Sequence, residues 1–118
     1  MSDEEACLYF NPSCSNCRGA RGILEAQGVP VRIVEYLEER PSRAELERLM
    51  GMLGIADPRA MMREKEPQYA ELGLATAGRE ALLDAMHDHP ILLQRPILVR
   101  GDRAVIARPP ERVRELLD

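Results

Sequence analysis

A chain of 118 residues, 45% hydrophobic and 31% charged, with a formal net charge of −4, fits one soluble domain and excludes a global basic field for nucleic acid or an anionic membrane. A chain of this size buries roughly two-thirds of the surface its unfolded form exposes, so it needs no disulfide staples. With no Trp and one Phe, its core must be aliphatic and rich in methionine.

The acidic start Met1-Ser2-Asp3-Glu4-Glu5 runs into an apolar stretch far too short for a signal h-region or a membrane span, so a cytoplasmic location is expected. A first strand pattern, Cys7-Leu8-Tyr9-Phe10, leads through Asn11-Pro12-Ser13-Cys14-Ser15-Asn16-Cys17-Arg18 into a helix pattern. There Ala20, Ile23, Leu24 and Gln27 share a face, and Gly28 is a natural C-cap. Cys14 therefore stands at a strand-to-helix turn, where free backbone N–H groups and the positive end of the helix dipole favour thiolate over thiol. A cysteine of pKa ~8.5 is only about 3% ionised at neutral pH, whereas one lowered to ~6 is about 90% ionised.

In a reducing cytosol the Cys14 and Cys17 spacing means transient redox chemistry or metal more often than a structural staple. Two thiolates fill only half of a tetrahedral zinc site, and His87 and His89 lie far along the chain, so no metal is expected. Cys7, inside the strand pattern, reads as a buried small hydrophobe.

Val29 to Tyr36 reads as a second strand, making a βαβ unit with a parallel pair and the thiol at the carboxyl end of the first strand. Ser42 and Glu45 have capping-box spacing, and Leu46, Leu49, Met50 and Leu53 follow at helical intervals. Asp57-Pro58 opens a short helical segment through Met61, Met62 and Arg63, which Glu66-Pro67 ends. Leu82, Leu83 and Met86 mark another helix, finishing near His87. Residues 42–89 thus form a helical insert in which Met50, Met52, Met61, Met62 and Met86 fill gaps in the core.

The segment Glu35, Glu38, Glu39, Arg40 and Arg43 reads as solvated. Asn11 either positions the Cys14 loop or is a plain turn former, and Arg18 either supports the thiolate or faces water. Arg95-Pro96-Ile97-Leu98-Val99 and Ala104-Val105-Ile106-Ala107 are strand patterns about a Gly101-Asp102 hairpin turn, and Pro109-Pro110 starts a last helix with Val113, Leu116 and Leu117 inward. The order β, α, β, helical insert, β, β, α, with CxxC after the first strand, is the plan of an α/β thioredoxin-like three-layer fold. It has a four-stranded mixed sheet, in one domain spanning 1–118.

The sequence resembles the glutaredoxin-coupled arsenate reductase family over nearly its whole length. The stretches that carry the likeness are Asn11-Pro12-Ser13-Cys14, Tyr36-Leu37-Glu38 followed by Pro41-Ser42-Arg43, Arg59 to Arg63, Glu71-Leu72-Gly73-Leu74, His89-Pro90-Ile91-Leu92 with Arg95-Pro96-Ile97, and Arg108-Pro109. The resemblance puts the nucleophile on Cys14 and the oxyanion-binding arginines on Arg63, Arg95 and Arg108, and it implies a cis Arg95-Pro96 bond. It also implies attack of the Cys14 thiolate on arsenate, then reduction by glutathione and glutaredoxin to arsenite. Planar guanidinium forks suit such an oxyanion, because they grip its acceptor oxygens bidentately.

The sequence departs from the family pattern at Phe10, which stands where the best-known members carry a histidine, so thiol activation must rest on the helix end and the arginines. It departs again at Cys17, one helical turn from the nucleophile and placed to resolve the adduct as a CxxC disulfide reducible by thioredoxin, glutaredoxin or glutathione. Alternatives are an Spx-type redox-switch regulator that binds RNA polymerase, which Pro12-Ser13-Cys14 and Cys17-Arg18 also resemble, and a general thiol-disulfide oxidoreductase. Arg108-Pro109-Pro110-Glu111 matches the reductase side. No bound cofactor is expected, glutathione is the candidate co-substrate, and a monomer that uses neither nucleic acid nor membrane is the simplest assembly.

Overall fold

The computed structural model describes residues 6–117, so the acidic Met1-Ser2-Asp3-Glu4-Glu5 start lies outside the described residues. The chain gathers into two compact units, one made of the segment up to Glu39 with that from Arg95 onward, the other of Arg40–Gln94.

The first unit holds β1 (Ala6–Tyr9), α1 (Ser15–Ala26), β2 (Val31–Val34), β3 (Ile97–Arg100), β4 (Arg103–Ile106) and a 3-10 helix, Pro110–Leu116. Its sheet runs β2-β1-β3-β4, with β1 and β2 parallel and β3 antiparallel to both β1 and β4. This is the four-stranded mixed sheet of the expected thioredoxin-like α/β fold. The register sets Ile33, Leu8, Leu98 and Val105 in one row, and side chains in such a row share a face. On that face Leu8, Leu98 and Val105 bury themselves with Ala20 and Leu24 of α1 and Val113 and Leu116 of the 3-10 helix. Each such aliphatic side chain contributes about 1.5–3 kcal/mol by leaving water. The next row, Val34, Tyr9 and Ile97, points the other way and is buried too.

Two expectations for this unit need correction. The second strand spans only Val31–Val34, because Pro30 offers no N–H to a ladder and the Glu35 carbonyl folds back to accept the Glu38 and Glu39 N–H groups, each at 2.8 Å. Cys7 is half-buried rather than buried, since it shares its row with exposed Arg32 instead of the core row of Leu8. The 3-10 helix, by contrast, starts at Pro110 and turns Val113 and Leu116 inward as the sequence suggests.

In the second unit, α2 (Arg43–Leu53) carries the capping box read from sequence: Ser42 accepts from the Glu45 N–H while the Glu45 side chain accepts from the Ser42 N–H. Gly54, at φ 72°, supplies the left-handed residue that closes the helix. Asp57 caps a 3-10 turn, Pro58–Met61, which stops before Met62 because Met62 bridges to Leu93 instead. Pro67 does not end a helix but begins α3 (Pro67–Glu71), where a missing N–H costs nothing. The helix α4 (Arg79–Asp88) closes the unit, its His87 Nδ1 lying 2.8 Å from the Pro41 carbonyl. Met50, Met61, Met62 and Met86 are buried in this aromatic-poor core, whereas Met52 is only half-buried.

Where α1 meets the C-terminal 3-10 helix, a Cβ on Gly19 would meet the Pro110 side chain, with Cγ at 3.1 Å. Gly19→Leu is therefore expected to lower unfolding free energy by about 1–3 kcal/mol in urea titration, as overpacking does. An unchanged midpoint would mean the two helices part freely.

Candidate active site

The ladder between β1 and β2 continues one residue past the strands, Phe10 N–H donating to the Val34 carbonyl at 2.9 Å. The chain then turns on Asn11. Its carbonyl accepts the Cys14 N–H at 2.9 Å and its Oδ1 accepts the Ser13 N–H at 2.9 Å, so this buried amide positions the loop and is more than a turn former. The turn delivers Cys14 as the N-cap of α1, with extended φ −98° and ψ 121°. Arg18 faces water, the second of the two readings, and its Nη1 donates to the Pro12 carbonyl at 2.8 Å, which fastens the loop. Phe10 packs in the core with its ring 5.6 Å from the Arg21 guanidinium.

Both site cysteines are reduced; Cys17 is fully buried and Cys14 is 8% exposed. Their electrostatics diverge. Burial pushes the Cys14 thiol up, but the Cys17 N–H in the first turn, the Cys17 side chain and the Arg95 guanidinium outweigh it and hold Cys14 below the ordinary value of 9.0. The N–H acts here as an oriented dipole, since it makes no full capping hydrogen bond. Burial drives Cys17 up to about 12, helped by the neighbouring Cys14 and opposed by the Asn11 N–H, which points at its sulfur from 3.5 Å. One thiol is thus set up as an anion and its neighbour as a proton-bearing donor.

Arg95 precedes Pro96, and the bond between them is cis, as the resemblance implies; Arg108-Pro109 is cis as well. The Arg95 carbonyl accepts from Arg108 Nη1 at 2.9 Å, which ties the two arginines together. Although the Arg95 charge lies against the Cys14 sulfur, its Nε and Nη1 are buried without a hydrogen-bond partner. Two buried donors without a partner on a half-buried cation beside a thiolate are the signature of a place that accepts an anion. The structure therefore brings Cys14, Cys17 and Arg95 together, with Arg108 fastened to the Arg95 carbonyl. Arg63 belongs to the other unit, where its Nη2 pairs with Glu66 at 2.8 Å and its backbone N–H donates to Leu92 at 2.7 Å. Among the described residues no group of three or more His, Cys, Asp or Glu could hold a metal, and no helix is long and apolar enough to cross a membrane.

The ArsC family model matches residues 9–116, which spans every element just described except the start of β1. The chain belongs to the ArsC family. Among its relatives, the arsenate reductase of Neisseria meningitidis serogroup A is 40% identical over 115 residues, covering 96% of this chain and 98% of that protein. The Haemophilus influenzae arsenate reductase is 40% identical over 112 residues, covering 93% of this chain and 97% of that one. A solved structure of the arsenate reductase from Vibrio cholerae superposes with a TM-score of 0.92 at 43% identity, covering 97% of this chain and 98% of that one.

One buried polar residue in this ArsC chain escapes a reading of the sequence. Tyr36 looks like the last residue of a strand, yet it lies two residues beyond β2, fully buried, with its hydroxyl lacking a full hydrogen-bond partner. The parallel register was the signal available to find it, since it sets Tyr36 level with Asn11.

Iodoacetamide at pH 7 is expected to label Cys14 well before Cys17, as peptide mass mapping would show. Because the Cys14 thiolate forms below the ordinary thiol range, its labelling rate stays high under pH 9 and falls only as pH drops through the lowered pKa. Arg95→Ala should move that fall to higher pH; identical profiles would remove Arg95 from thiol activation.

Proposed function

We propose that this chain is an arsenate reductase-like thiol oxidoreductase in which the Cys14 thiolate is the nucleophile and guanidinium groups hold the oxyanion. The observation that carries the reading is the unequal pair of thiols beside a half-buried arginine with two buried, unsatisfied donors, in a chain 40% identical to proteins named arsenate reductase. Arg95 and Arg108 are the near cations; Arg63 is assigned as the third from its place in the family motif. Charge-assisted hydrogen bonds of about 1.5–3 kcal/mol each suit a weakly bound dianion, and they strengthen as charge gathers on oxygen during attack.

In the first step the Cys14 sulfur bonds to arsenic(V) and one arsenic–oxygen bond breaks, releasing water. A second thiol then attacks the Cys14 sulfur; a sulfur–sulfur bond forms, the sulfur–arsenic bond breaks, and its electron pair leaves with arsenic as arsenite. Arsenic gains two electrons and the two sulfurs lose them. Cys17 is the second thiol of choice. While Cys14 is anionic it adds to the burial that keeps Cys17 protonated, and bonding Cys14 to arsenic removes that contribution at the step when Cys17 must give up its proton. Thioredoxin, glutaredoxin or glutathione then reduces the Cys14–Cys17 disulfide. In the other route glutathione itself attacks, and glutaredoxin clears the mixed disulfide on Cys14. Neither route needs a bound cofactor.

The test is arsenate-dependent NADPH oxidation coupled through glutathione and glutaredoxin, or through thioredoxin and its reductase. Cys14→Ser should abolish it. Arg95→Ala should lower kcat/KM by roughly 10²–10³-fold, the usual cost of removing a transition-state donor. Cys17→Ser should abolish thioredoxin-coupled turnover while sparing the glutathione route. No arsenate-dependent oxidation in either system would overturn the reading, and full thioredoxin-coupled turnover by Cys17→Ser would overturn the resolving role.

A further inference from the structure

The register of the sheet converges on Asn11. Tyr9 lies opposite Val34 on one side and Ile97 on the other. Two residues further along each strand direction, the same alignment brings Asn11 level with Tyr36 and with Arg95. On the β2 side the ladder continues into this step, with Phe10 N–H on the Val34 carbonyl at 2.9 Å, and the Tyr36 phenol feels Arg95, both site cysteines and the Asn11 side chain. A phenol, an amide and a guanidinium therefore form a row at the sheet end from which the Cys14 turn rises.

Two members of that row are unsatisfied. Asn11 spends its Oδ1 on Ser13. Arg95 keeps two buried N–H groups without partners, and the Tyr36 hydroxyl, in a side chain with 0% exposure, has only a weak pull from the Asn11 side chain and no full hydrogen bond. A buried hydroxyl left without a partner costs about 1–3 kcal/mol, so its retention calls for an acceptor that arrives from outside.

We propose that Tyr36 is a further oxyanion-binding residue of the ArsC site, its hydroxyl donating to an oxygen of the tetrahedral anion that Arg95 holds over Cys14. The proposal rests on the oxyanion-pocket reading above and adds a neutral donor to its charged ones. Tyr36 suits the task because it keeps its proton. Burial pushes the phenol well above its ordinary value; Arg95 pulls against this, and the two cysteines add to it. The resting thiolate, in contrast, is held chiefly by the Cys17 N–H, the Cys17 side chain and Arg95. Tyr36 therefore acts on the bound anion and not on the ionisation of the free thiol, which separates it from a general structural support.

The experiment uses the reduced full chain with inorganic phosphate as the unreactive tetrahedral probe, which is expected to protect Cys14 from iodoacetamide. Tyr36→Phe should alkylate at the wild-type rate and with the wild-type pH profile when phosphate is absent. It should need about tenfold or more phosphate for half protection, the loss expected when a hydrogen bond to a charged group is deleted. Coincident protection curves would overturn the proposal, as would a shifted pH profile of the free thiol with unchanged protection. No protection of the wild type at any phosphate concentration would sink the oxyanion pocket itself, and Tyr36 with it. If Tyr36→Phe fails to fold by circular dichroism, the wild-type ultraviolet difference spectrum on adding phosphate decides. A perturbed tyrosine band is expected, and an unchanged one contradicts the role.

Discussion

A negative charge on a largely buried sulfur is the condition on which the rest of this site depends. Burying an ionised group is costly unless oriented donors replace the water it loses. Around Cys14 those donors are the Cys17 N–H at the start of α1, the Cys17 side chain and the Arg95 guanidinium. No acidic side chain sits in the first turn of α1 to compete for them. Cys17, one turn on and deeper in the core, meets the same burial without enough compensation and stays protonated. The difference between the two thiols comes from depth and donor count, because their chemistry is identical.

The sheet holds those donors in place. The parallel β1–β2 pair puts the Asn11 turn and Tyr36 at one end of the sheet, and the antiparallel β3 begins at that same end, bringing Arg95 beside the turn. The Arg108 bond to the Arg95 carbonyl anchors the last corner through β4. The core row of Leu8, Leu98 and Val105, packed on Ala20 and Leu24 of α1, therefore sets the position of the thiolate as much as it stabilises the fold. Cys14 and Cys17 belong to the same buried cluster, so the chemistry and the core share one wall.

Where local chemistry fixes the outcome, the sequence was a sufficient guide. The Ser42 and Glu45 capping box, the hairpin at Gly101 and the strand-to-helix turn carrying Cys14 all follow from short-range hydrogen bonding and allowed backbone angles. The misreadings arose where one residue type serves two ends of an element or where distant neighbours decide. Pro67 can stop a helix or start one, and the extended segment before it selects the start. Pro30 and the Glu35 turn trim β2 from both sides. Cys7 is half-buried because of its row partner on β2, which composition does not reveal. Within the site, the spacing and family likeness pointed to Cys14, Cys17 and Arg95. The burial of Tyr36 and the unsatisfied donors of Arg95 are consequences of register and needed coordinates.

The central claim, that Cys14 ionises below the ordinary thiol value while Cys17 stays protonated, is tested most directly by the thiolate absorbance at 240 nm. It would be followed from pH 4 to pH 9 in the reduced protein and in Cys14→Ser. The account predicts a Cys14 thiolate step below the ordinary value of 9.0 in the wild type, absent from Cys14→Ser, with Cys17 still silent because it titrates at about 12. A wild type that gains no thiolate until pH nears 9, or a low-pH step that survives Cys14→Ser, would contradict it.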